Sequence, residues 1–104
     1  MLLNFGWVKP GVLAAMGRPE AQDWQALARK GVRAVLSLTE SPPEGDPKAA
    51  GLEALHVPIS DFSAPSPKDL ARCVTWIEQQ VRSARPVVVH CGAGLGRTGV
   101  ILAC

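Results

Sequence analysis

The chain has 104 residues, of which 47% are hydrophobic, and a net charge of +2, which fits one small globular domain. The charge is too small to indicate a nucleic-acid or anionic membrane partner, and no apolar run is long enough to span a bilayer. The three cysteines suit a reducing compartment better than a disulfide framework, so a cytoplasmic location is expected.

The first third of the chain is predicted to form a hairpin and a helix. Residues 3–8 and 12–16 have the pattern of short strands, and a Pro-Gly turn at residues 10 and 11 separates them. A helix is expected over about residues 19–30, because its apolar residues share one face and a glycine follows it. Trp24 on that face is assigned to the core rather than to a ligand platform.

The middle of the chain alternates strands with a loop. Residues 32–38 and 52–59 are predicted strands, and residues 39–50, rich in proline and charge, are a loop with one helical turn near its end. Glu40 in that loop is a weak candidate for a supporting role at the rim of a site. His56 is expected to face solvent from the fourth strand.

The last third contains a long helix and a central strand. Ser66 is a favourable N-cap and is followed by proline at the first helical position. Leu70, Val74, Ile77 and Val81 fall on one face, with Cys73 beside them as a small core residue. Residues 86–90 are predicted to form a strand, and the continuous valines 87–89 within it indicate cover on both faces.

A glycine-rich turn follows this fifth strand and precedes an apolar segment that reads as a helix. Backbone N–H groups in such a turn point inward, and the helix N-terminus adds partial positive charge, so the segment is predicted to bind a phosphate. The loop residues are Gly92, Ala93, Gly94, Leu95 and Gly96. Arg97 can bind two phosphate oxygens with its planar guanidinium group.

Cys91 is the candidate nucleophile of this loop. Inward-pointing amides, a helix N-terminus and a fixed arginine all favour the thiolate over the thiol, and the thiolate is the reactive form. The same field binds the phosphate, so the sulfur would lie beneath the phosphorus. A purely structural glycine-rich turn is the alternative.

A second group must protonate the leaving oxygen, and Asp61 is the candidate. It lies in a loop after the fourth strand, at the edge of the sheet where Cys91 follows the fifth. A turn aspartate that only caps the backbone is the alternative. Asp69 is better explained by the first turn of its helix, and Asp46 lies in a loop without fixed geometry.

Strands that alternate with helices predict an α/β fold with a mixed, mostly parallel central sheet flanked by helices. The N-terminal hairpin makes the sheet mixed. The whole chain, residues 1–104, is expected to be a single catalytic domain.

The spacing Cys91-x5-Arg97, with His90 before it and Thr98 after it, resembles the signature loop of the cysteine-dependent protein tyrosine phosphatases. Residues 4–11, residues 31–40 and the Asp61 loop are similar to the small dual-specificity phosphatases, so the resemblance covers nearly the whole chain.

The resemblance implies a phosphatase that acts on phosphotyrosine, and also on phosphoserine or phosphothreonine, in proteins or peptides. It implies a cysteinyl-phosphate intermediate, no metal and no cofactor, with inorganic phosphate, sulfate or vanadate as site ligands. His90 would orient the loop without being catalytic, and Thr98 would assist departure of the cysteine sulfur.

The chain departs from the family pattern at three places. Ala93 replaces the glutamate of many kinase-directed members, and Gly92 and Leu95 replace lysines of phosphoinositide phosphatases. The chain also ends where relatives continue with more helices. Since the resemblance implies that both crossover helices pack on one face, we expect a truncated domain with the other face bare.

Two other classes of function remain open. One is a phosphate- or phosphopeptide-binding module with little turnover. The other is an arsenate reductase or sulfurtransferase, for which Cys73 and Cys104 offer no evident approach to Cys91. The physiological substrate does not follow from the sequence.

Overall fold

Five short strands form one sheet in the computed structural model, which describes residues 5–39, 44–59 and 66–90. In chain order they are β1 (Gly6–Lys9), β2 (Leu13–Met16), β3 (Ala34–Ser37), β4 (Glu53–His56) and β5 (Val87–His90). Their order across the sheet is β1-β2-β5-β3-β4. Only β1 and β2 are antiparallel, and every other described pair is parallel. The predicted mixed, mostly parallel sheet is confirmed.

Two helices connect the parallel strands, α1 (Asp23–Arg29) and α2 (Pro67–Arg82). The start of α2 is as predicted, because Oγ of Ser66 accepts a hydrogen bond from the amide of Asp69 at 3.1 Å. Neither helix within the described ranges is long and apolar enough to cross a membrane.

Helix α1 is shorter than the sequence predicts, and Asp23 accounts for its late start. The amide of Glu20 donates to the carboxylate of Asp23 at 2.7 Å, and the amide of Asp23 donates to the carbonyl of Glu20 at 3.0 Å. This reciprocal pair closes a turn over residues 20–23 that replaces the expected first helical turn.

The two helices pack on opposite faces of the sheet, and the expectation of a shared face is wrong. Val87 and Val89 lie in a cluster under α2, whereas Val88 packs with Trp24 of α1. The cause is topological: the connection from β2 to β3 and the one from β4 to β5 cross the sheet in opposite directions. Right-handed crossovers in opposite directions place their helices on opposite faces.

The expected bare face is therefore absent from the described part of the chain. All three valines of β5 are fully buried. Among the described residues, the large hydrophobic side chains that are exposed are Val8 and Val81, which belong to different elements.

The loop after β3 contacts α1 at Trp24. The expected helical turn is present as a 3-10 helix, Pro47–Ala50. The indole Nε1 of Trp24 donates to the carbonyl of Glu44 at 2.7 Å, and the side chain is 2% exposed, which confirms its place in the core. Gly45 follows with φ of +78°.

Gly45→Ala should lower the free energy of unfolding more than Gly11→Ala does. Both glycines have positive φ, but a Cβ at Gly45 would lie 2.9 Å from Nε1 of Trp24, whereas nothing lies within 4 Å at Gly11. We expect a loss of roughly 1–2 kcal/mol at Gly11 from the backbone alone, and a further loss of about 1–3 kcal/mol at Gly45 from overpacking. Urea unfolding of both variants measures this, and equal losses would exclude the steric effect.

Candidate active site

The carboxyl ends of four strands meet at one edge of the sheet. The register places Met16 of β2 beside His90 of β5, His90 beside Ser37 of β3, and Ser37 beside His56 of β4. The segments that follow β3, β4 and β5 therefore all leave the sheet from this edge. In parallel α/β sheets this is the edge at which ligands bind.

The residues predicted to perform chemistry come after strands that end at this edge. Cys91 is the next residue after β5, and Asp61 lies in the segment after β4, two strands away across the sheet. Neighbouring strands are about 4.8 Å apart, so the two segments leave the sheet roughly 10 Å from each other. Asp61 and residues 91–98, with Glu40, lie outside the described residues, and their roles stay predictions.

His90 is fully buried at the end of β5. Its Nε2 atom and Oγ of Ser37 are 2.7 Å apart, a hydrogen bond in which either group can donate. The carbonyl oxygen of His90 accepts from the amide of Leu38 at 2.9 Å, and its ring centroid lies 6.4 Å from that of Trp24. Side-chain and backbone contacts therefore fix the residue that precedes Cys91.

Ser37 is the site residue that sequence reasoning missed. It is 3% exposed and lies on the same face of the sheet as His90, next to it in the register. A signal was available, because Ser37 is a polar residue inside the apolar segment of residues 32–38. Buried hydroxyls nearly always have a hydrogen-bond partner, so a polar group close to Ser37 was to be expected.

His56 differs from its expected role as a solvent-facing residue. Its side chain is half-buried, and Nε2 donates to the carbonyl oxygen of Thr39 at 2.6 Å. Thr39 is itself buried and follows β3. The bond therefore joins the last residue of β4 to the segment that leaves β3 at the carboxyl edge.

Asp46 is engaged away from this edge. Its Oδ1 atom accepts from the amide of Lys48 at 3.0 Å and caps the 3-10 helix that leads into the amino end of β4. The described ranges contain no group of three or more histidine, cysteine or acidic residues placed to hold a metal ion.

Cys73 is a core residue, as predicted. It is fully buried under the α2 face of the sheet. Burial raises the pKa of its thiol above the ordinary value, and the nearby carboxylate of Asp69 adds to the increase. The thiolate fraction at neutral pH is therefore lowered, which argues against a nucleophilic role for this cysteine.

Ser37→Ala should destabilise the protein, because it removes the buried partner of His90. Loss of such a bond costs about 1–3 kcal/mol when the remaining group stays buried. Ser83→Ala, at the exposed C-cap of α2, is the matched control and should change stability by less than about 0.5 kcal/mol. Equal unfolding free energies for the two variants would contradict the role given to Ser37.

Comparison with known families agrees with this arrangement. The profile of a family described as a polymorphic toxin system DSP-PTPase phosphatase matches residues 11–104. The inositol diphosphatase DSP3 of Arabidopsis thaliana is 28% identical over 110 residues, which cover 97% of this chain and 52% of that protein.

Solved structures share the fold. Tk-PTP in its active form is 37% identical with a TM-score of 0.78, covering 86% of this chain and 63% of the other. TpbA of P. aeruginosa, as the C132S variant with phosphotyrosine, is 22% identical with a TM-score of 0.73, covering 95% and 65%. This chain spans less than two thirds of the length of each of these relatives.

The family profile begins at the turn between β1 and β2 and continues through the segment after β5, so it includes the whole carboxyl edge. Its match agrees with a mostly parallel sheet whose central strand is followed in the sequence by the Cys91-x5-Arg97 segment. On these grounds the chain belongs to the dual-specificity branch of the protein tyrosine phosphatase superfamily.

Proposed function

We propose that this chain is a single catalytic domain that hydrolyses phosphomonoesters of phosphoproteins through a cysteinyl-phosphate intermediate. One observation carries the proposal: the buried central strand β5 ends at a fixed histidine immediately before Cys91-x5-Arg97. A nucleophile after such a strand starts from a rigid position, as efficient attack requires.

Cys91 is proposed as the nucleophile and Arg97 as the phosphate ligand. The backbone amides of residues 92–96 and the guanidinium group of Arg97 would hold the three equatorial oxygens and stabilise the charge of the transition state. Thr98 would hydrogen-bond to the sulfur and help it to leave in the second step.

Asp61 is proposed as the general acid and then the general base. In the first step the sulfur of Cys91 bonds to phosphorus, the ester P–O bond breaks, and Asp61 gives its proton to the leaving oxygen. In the second step water attacks phosphorus and loses a proton to Asp61. The S–P bond then breaks and releases inorganic phosphate. Every step uses groups of this chain, so we propose a metal-independent reaction.

Phosphotyrosine is the first substrate to test, with phosphoserine and phosphothreonine beside it. TpbA, which shares the fold, was solved with phosphotyrosine. Gly92 and Leu95 leave the loop without the lysines that would suit a highly charged lipid headgroup. Ala93 replaces the glutamate of kinase-directed members, which argues against a mitogen-activated kinase as the protein that is dephosphorylated. Turnover separates this proposal from a phosphopeptide-binding module.

Cys91→Ser should abolish hydrolysis of p-nitrophenyl phosphate and leave vanadate binding partly intact, because the loop amides and Arg97 remain. Arg97→Lys should also be severe, since an ammonium group cannot replace the planar fork. Cys73→Ala is the matched control: it removes a buried thiol of raised pKa and should retain the parent rate. Activity of Cys91→Ser within about tenfold of the parent would exclude Cys91 as nucleophile.

Asp61→Asn should lower kcat by roughly 10²–10³, most strongly for phosphate esters with poor leaving groups. It should also remove the alkaline limb of the pH–rate profile, because that limb would report deprotonation of the acid. Asp46→Asn is the control, because the carboxylate of Asp46 already caps the 3-10 helix. A complete bell-shaped profile in Asp61→Asn would place the acid elsewhere, with Glu40 as the next candidate.

A further inference from the structure

A groove of about 540 Å³ runs along one side of the molecule, between α2 and the outer strand β4. Leu55 of β4 forms one wall. The other wall is a single stripe of α2, because its residues recur at helical spacing. The stripe consists of Lys68, Ala71, Arg72, Thr75, Trp76 and Gln79.

The groove borders the open edge of β4. The amides of Glu53 and Val57 both donate inward to β3, to the carbonyls of Arg33 and Ser37 at 2.9 Å. Hydrogen-bonding groups alternate in direction along a strand, so the amides of Ala54 and His56 point to the outer side. No described strand pairs with that side, since β4 ends the strand order of the sheet.

The charge of the groove is positive. Lys68 and Arg72 line it, and none of the described residues that line it is acidic. Glu53, the exposed acidic residue of β4, lies at the amino end of that strand and is not part of the lining. Neither acidic residue of α2 lines the groove, and Glu78 pairs with Arg82 at 3.8 Å. Trp76 is half-buried and packs against the core with Leu55, so the groove also offers an apolar wall.

From these features we propose that the edge of β4 and this groove dock an acidic, extended segment of a partner protein by strand addition. A strand added beside β4 would bond to the outward groups of Ala54 and His56. Its alternate side chains would lie on the face of Leu55 and enter the groove. Acidic side chains there would meet Lys68 and Arg72, and apolar ones would meet Trp76.

The docking surface lies two strands from β5, and only its Lys68 end approaches the carboxyl edge. It lies beyond β4, whereas the Cys91 segment follows β5, two strands away. Lys68 lies in the first turn of α2, and α2 begins from the side of the carboxyl edge because it returns the chain from β4 to the amino end of β5. A docked segment therefore leaves β5 uncovered, and the proposal does not depend on turnover.

Fluorescence anisotropy with a labelled, alternating glutamate–valine peptide tests the proposal on the full chain at low and moderate salt. Binding is expected for this peptide, but not for a lysine–valine peptide or an alternating glutamate–proline peptide. The last carries the same charge but cannot add as a strand. Equal binding of the glutamate–proline peptide would overturn strand addition and leave only a polyanion site.

Paired variants locate the contact. The double change Lys68→Ala and Arg72→Ala should weaken binding roughly fivefold at low salt, because two exposed charge pairs are lost. The double change Arg82→Ala and Arg85→Ala alters the charge equally on or just after the same helix and should weaken it less than twofold. Equal losses in both pairs would overturn the assignment to the groove.

The strand edge is tested in the same assay. Ala54→Pro removes an outward amide from an exposed edge position and should weaken binding by about tenfold, whereas Ala54→Thr retains the amide and should not. Circular dichroism checks that each variant folds. If Ala54→Pro does not fold, the glutamate–proline peptide still tests whether binding requires strand addition. The protein could instead sediment as a dimer that Ala54→Pro abolishes, and bind no peptide. That result would assign the edge of β4 to a second copy of the chain and overturn the proposal.

Discussion

The burial of β5 is the constraint on which the rest of this structure depends. Its three valines alternate between two clusters, one under each helix, and all are fully buried. Burying such side chains contributes roughly 1.5–3 kcal/mol each, which makes the central position of β5 strongly favoured. Because β2 and β3 must flank it, their carboxyl ends are brought to the same edge as His90.

The hydrogen bond between His90 and Ser37 joins this core to the proposed chemistry. It lies on the α1 face, where Trp24 packs against Val88 and approaches the His90 ring. A buried polar pair adds little net stability, but it is costly to leave either partner unsatisfied. The pair therefore fixes one orientation at the strand end from which the Cys91 segment departs.

The two outer strands of the sheet, β1 and β4, differ in their surroundings. At one edge β1 pairs with β2 through an antiparallel hairpin and presents the exposed Val8. At the other edge β4 lies beside a groove lined by cations and an indole. Exposed strand edges promote association, and a flanking lysine and arginine disfavour pairing with positively charged or identical neighbours. The same charges favour an acidic segment, which is the basis of the proposed docking surface.

The sequence by itself determined the elements and indicated where the site is expected. Apolar periodicity located the five strands and two helices that the structure describes, because burial of one face requires that spacing. Ser66 with Pro67 marked the start of α2. The Cys91-x5-Arg97 spacing indicated the family, because it resembles the signature loop of the cysteine-dependent protein tyrosine phosphatases. Residues 91–98 and Asp61 remain sequence-based predictions.

Only the tertiary structure decided how the elements face one another. The strand order puts β5 between β2 and β3, and opposite crossover directions then place the helices on opposite faces, which local periodicity cannot reveal. The partners of His90 and His56 are distant in sequence, so their hydrogen bonds follow from register rather than from local pattern. The groove likewise exists only because α2 packs beside the outer strand, where residues separated along the chain line one surface.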